Sequence, residues 1–62
     1  MEINELKAMA QRNEFCAMST TELTRIFTEL NNSIANMSAA DIGTTMELIT
    51  LVGREIETRG QN

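Results

Sequence analysis

The sequence predicts an all-α protein of three helices, the last two folded back on one another as an antiparallel hairpin. Two stretches carry that expectation, Met18-Ser19-Thr20-Thr21-Glu22-Leu23 and Met37-Ser38-Ala39-Ala40-Asp41-Ile42, which have nearly the same pattern 19 residues apart. In each, a serine can cap free backbone N–H groups while the acid three residues on reaches back to the serine's own N–H. The methionine before each cap and the Leu23 or Ile42 four residues after it can close a hydrophobic staple. The third observation is an apolar spacing of threes and fours along the second half of the chain, with no proline to interrupt it.

The first segment, about residues 2–12, places Ile3, Leu6, Met9 and Ala10 on one face. About three turns of helix are marginal alone in water, so this piece must dock to persist. Asn13 can end it in the left-handed conformation. Phe15, Cys16 and Met18 then form an apolar connector that plugs one end of a small core. Cys16 is the lone cysteine and has no disulfide partner, so it reads as a small buried hydrophobe.

The second segment, about 20–35, carries apolar residues at 23, 26, 27, 30 and 34, a stripe about 100° wide that suits one buried side. Asn36 is its expected stop, in the left-handed conformation. An earlier end near Asn32 is the alternative, because Asn31, Asn32 and Ser33 are poor helix formers. Only two or three residues then remain before Ser38, which forces antiparallel neighbours.

The third segment, about 39–59, aligns Ile42, Thr45, Met46, Ile49, Val52, Gly53 and Ile56 on one side. Gly60 supplies a stop, Arg59 suits the helix dipole, and Glu55 and Arg59 are ordered for an i,i+4 pair. Leu48 and Leu51 fall off this seam, so the helix needs two contacts, the second supplied by segment one or by another protomer. Gly43 and Gly53 join Ala39, Met46 and Thr50 in a partly small-sided ridge that would let a neighbouring backbone approach; tolerated surface glycines are the equal alternative.

At 62 residues the chain is one domain, residues 1–62, in the range where a single core is marginal. With no disulfide, a second copy of the chain is the economical remedy, and a homodimeric bundle is expected. No histidine is present, so the commonest catalytic triad is excluded and a metal site would need carboxylates alone. Glu22 and Asp41 are the pair of carboxylates to consider for acid and base work, and each is already explained by a helix cap. No phosphate-binding glycine loop or calcium-loop pattern occurs. The expectation is a non-enzyme with no cofactor, no metal and no catalytic residue.

A net charge of −4 opposes generic attraction to nucleic acid and to anionic membranes. The acidic start lacks the pattern of a signal peptide and no apolar run approaches a membrane span, so a cytoplasmic protein is expected. Residues 37–59 have a superficial helix-turn-helix look, but the second helix would offer Met46, Glu47 and Leu48 where a recognition helix needs Arg, Lys, Asn or Gln. In architecture alone the hairpin resembles the Rop-type four-helix dimer, a resemblance that implies an acidic chain can still hold a local basic RNA-binding patch. Arg25 and Arg54, with Lys7 and Arg12, are the residues from which one could be built.

The sequence therefore points to a small interaction module, an adaptor, inhibitor or regulator that binds another protein through a helical face. Its candidate surface, for a partner or for the dimer, comprises Leu48, Leu51, Gly43, Gly53, Ile49 and Ile56. The alternatives are a dimeric RNA- or DNA-binding regulator using Arg25 and Arg54, which the charge disfavours, and a structural subunit of a larger assembly.

Overall fold

The computed structural model describes residues 3–60, and within them the chain is helical apart from three short links. Helix α1 spans Ile3–Gln11, a 3₁₀ turn Glu14–Ala17, helix α2 Thr20–Ser33, a second 3₁₀ turn Ile34–Asn36, and helix α3 Ala39–Gly60. The helix start expected at Glu2 lies outside the described residues. No strand occurs among those described.

The helix boundaries follow from local chemistry, though not always the chemistry expected. Asn13 ends α1 in the left-handed region, at φ 57° and ψ 34°, as its short amide side chain permits. Ser19 is extended and its Oγ accepts the Glu22 N–H at 3.1 Å, which sets the first turn of α2. The Glu22 carboxylate does not return to Ser19, so this is half a capping box. At the start of α3, Ser38 Oγ instead donates to the Asp41 carboxylate at 3.3 Å. The Ser38 carbonyl accepts the Asp41 and Ile42 N–H groups at 3.0 and 3.2 Å.

The expected left-handed stop at Asn36 is not used. The chain tightens instead into the 3₁₀ turn, which Met37 N–H closes on the Ile34 carbonyl at 3.2 Å, and Met37 then turns extended at φ −90° and ψ 152°. Tightening the last turn satisfies an orphan carbonyl without positive φ, so the reversal needs neither glycine nor a left-handed residue.

Helices α2 and α3 pack antiparallel. Thr20 meets Arg59 and Phe27 meets Gly53, while Met37, just beyond α2, meets Thr45, so residues ascending along the second segment contact residues descending along α3. Helix α1 lies along α3 in the same direction, because Lys7 shares a groove with Thr44 and Glu47, and Asn13 shares one with Glu55 and Thr58. At 22 residues and about 33 Å, α3 is the spine against which the other two are laid.

The core is built from Leu6, Phe15, Leu23, Ile26, Leu30, Leu48 and Val52. Ile3, Met9, Ala10, Met18, Phe27, Ile49 and Ile56 are half-buried around it. Thr45 is fully buried, and its hydroxyl finds an acceptor in the Met37 sulfur at 2.9 Å. Phe15 is the plug that the sequence suggests. Cys16 is not the buried hydrophobe expected: it is exposed, because the 3₁₀ turn that drives Phe15 inward points its neighbour out.

Placing α1 and α2 on either side of α3 also moves the seam of that helix. The buried arc centres on Thr45, Leu48 and Val52 rather than on the Ile42–Met46–Gly53 side, and Met46, expected in the seam, is 56% exposed. Leu51 and Met46 mark the two edges of the arc, roughly 120° and 100° from Thr45.

Candidate functional site

Among the described residues, Met46 and Leu51 are the large hydrophobic side chains left exposed, Leu51 at 45%. Leu51 stands between two shallow depressions along the line where α1 meets α3. The first is lined by Lys7, Ala10 and Gln11 from α1 and by Thr44, Glu47 and Leu48 from α3; the second by Ala10, Asn13, Phe15, Arg54, Glu55 and Thr58. A third hollow lies on its other flank, against Glu47 and Thr50. All three are open at the surface. None encloses a ligand as an active-site cleft would.

Helix α3 presents this ground through residues three and four apart: Thr44, Glu47, Leu51, Arg54 and Thr58. They span about 80° of the helix, facing away from α2. Thr44 is half-buried and the other four are exposed. Thr58 Oγ1 returns to the Arg54 carbonyl at 2.9 Å, which satisfies its hydroxyl on the helix itself. Neither Glu47 nor Arg54 forms an ion pair among the described residues.

The other candidate residues divide. Leu48 is buried in the chain's own core, with residues of α1 beside it, so the second contact needed by α3 comes from the first segment. Ile49 and Ile56 are half-buried against the same core. Gly53 lies beneath Phe27, where an added Cβ would stand 3.2 Å from the ring edge, so the close approach at that glycine is internal. Gly43 has nothing within 4 Å and is an open surface position. Of the six, Leu51 and Gly43 face outward.

Arg25 and Arg54 are both exposed, on α2 and α3 respectively. Each lies about 150° or more from the middle of its helix's buried stripe, so the two project from opposite sides of the hairpin. Arg12 is paired with Glu14. Glu22 and Asp41 sit near the first turns of antiparallel helices, roughly 20 Å apart along the length of α2, and cannot share a substrate atom. Among the described residues no three metal-ligating side chains converge, and no helix is long and apolar enough to cross a membrane.

One residue does more than the sequence indicates. Arg59 makes the expected pair with Glu55, Nε to Oε1 at 3.3 Å, and then reaches across to the connector. Its Nη2 donates to the carbonyls of Phe15 and Cys16 at 3.1 and 3.0 Å, and its Nη1 to Thr20 Oγ1 at 3.3 Å. The guanidinium fork thus ties the 3₁₀ turn and the start of α2 to the end of α3. Cys16 Sγ lies over the same cluster, 3.5 Å from Asn13 Oδ1 and 3.9 Å from Glu55 Oε2. Nothing in the spacing around Arg59 signals this reach beyond the Glu55 pair.

No family model, curated protein or solved structure matches this chain.

Proposed function

We propose that the protein is a non-enzymatic interaction module, an adaptor, inhibitor or regulator that binds another protein chain through the outer face of α3. The observation that carries this reading is Leu51, a large apolar side chain 45% exposed between hollows on either flank. An isolated exposed leucine needs no explanation, but one set among concave ground shared with a second helix is a ready seat for an apolar anchor. Self-association belongs to the same reading, and a structural subunit would use the same kind of contact. The absence of histidine and the separation of Glu22 from Asp41 support a role by contact rather than by chemistry. Arg25 and Arg54 diverge, which gives the nucleic-acid alternative no shared surface to argue from.

A photo-crosslinking amino acid placed at Leu51, with the same group at Thr28 on the outer side of α2 as control, tests this in the native host. A defined protein adduct at Leu51, and none at Thr28, is the expected result. Equal adducts at both positions, or none at Leu51 in a folded chain, would remove the proposal.

A further inference from the structure

The stripe on α3 has a charge order that is complementary to its own reverse. Reading along the helix it runs Thr44, Glu47, Leu51, Arg54, Thr58, with Glu47 about 6 Å before Leu51 and Arg54 about 4.5 Å after it. Turned end for end about Leu51, threonine falls on threonine, leucine on leucine, and glutamate on arginine. The offset of about 1.5 Å is small against the reach of those two side chains.

Resting on the reading of Leu51 given above, we infer that the occupant of this face is a second copy of the chain. It docks across a two-fold axis at Leu51, α3 against α3 in opposite directions, so that Glu47 of each copy meets Arg54 of the other. A two-fold contact is self-complementary by construction, and one favourable pair is made twice. The opposite orientation, with the helices parallel, would set Glu47 against Glu47 and Arg54 against Arg54, and like charges directly opposed weaken association. Both groups are available to take part, since neither forms an ion pair among the described residues. An unrelated helix would have to present the same order by chance; a second copy presents it by symmetry. The small residues at the stripe ends, Thr44 and Thr58, leave room for the two helices to approach.

Charge reversal tests this arrangement. Sedimentation equilibrium of the whole chain should give a species of twice 6.9 kDa for the wild type. Glu47→Arg and Arg54→Glu should each weaken association at least about tenfold with the helical circular dichroism unchanged, because each opposes like charges at two places. An equimolar mixture of the two variants should associate again as a heterodimer, and the double variant should associate with itself. Glu47→Gln and Arg54→Gln keep the test open if a reversal unfolds the chain: each should weaken association by about threefold or more. A wild type that stays monomeric at every concentration overturns the inference. So do single variants that associate as tightly as wild type, or folded variants whose mixture gains nothing. A monomeric wild type whose Leu51 still cross-links to another protein removes the second copy and leaves the interaction module standing; the loss of both removes both.

Discussion

Arg59, in the last turn of α3, is a side chain whose removal should cost this small fold substantially. It supplies bonds to two backbone carbonyls at 3.0 and 3.1 Å, to the Thr20 hydroxyl and to the Glu55 carboxylate, both at 3.3 Å. Hydrogen bonds from a charged donor contribute about 1.5–3 kcal/mol when sheltered, and the Arg59 side chain is 23% exposed, so screening and non-additivity reduce the total. Arg59→Ala should therefore cost about 2 kcal/mol, a large share of the few kcal/mol expected of one core in a chain this short. In urea, with a slope of about 1 kcal/mol/M for a small domain, the midpoint should fall by roughly 2 M. Arg59→Lys should lie between, because an ammonium keeps the charge but cannot fork across two carbonyls. Glu55→Gln should cost less, about 0.5 kcal/mol, the contribution of one half-buried i,i+4 pair at the helix surface. If Arg59→Ala is no worse than Glu55→Gln, the tie to the connector contributes nothing and the reasoning fails. Amide exchange adds a local reading: the Met18 N–H, held by the Phe15 carbonyl at 3.3 Å, should exchange faster in Arg59→Ala.

The caps and the glycines give further expectations. Ser19→Ala should cost about 1 kcal/mol, because it strips an acceptor from the Glu22 N–H. Ser38→Ala should cost distinctly less, since that hydroxyl faces a carboxylate; equal losses in chemical denaturation would refute the distinction. Gly43→Ala should stabilise by up to about 1 kcal/mol, as a helix position with open space around it. Gly53→Ala should gain less or lose, because the Phe27 ring must shift to admit a Cβ; thermal unfolding that ranks Gly53→Ala above Gly43→Ala would contradict the packing of α2 on α3.

The helix starts at Ser19 and Ser38 and the end at Asn13 are legible in the sequence because each depends on a few neighbouring residues. The three-helix order and the plug made by Phe15 follow from the same local pattern. What was not legible depends on partners far along the chain. The exposure of Met46 and the burial of Leu48 are set by which neighbour lies on each side of α3, and the apolar spacing is compatible with either choice. Cys16 looks apolar in sequence, but the 3₁₀ turn sends it outward. The reach of Arg59 to Phe15, Cys16 and Thr20 crosses about forty residues of chain, and only its i,i+4 pair with Glu55 leaves a mark in the spacing. At the candidate surface, the helical phase of Leu51 alone sets it off the seam. That Glu47 and Arg54 stand on either side of Leu51 without an ion pair among the described residues is visible only in the folded chain.

A dilution series of amide NMR spectra tests the account most directly, since it reports which residues respond when copies of the chain separate. The amides of Thr44, Glu47, Leu51, Arg54 and Thr58 should move together with concentration, while those of Arg25, Thr28, Glu29 and Asn32 on the outer side of α2 stay fixed. Concentration-dependent shifts confined to α2, or none on α3 at any concentration, would contradict it.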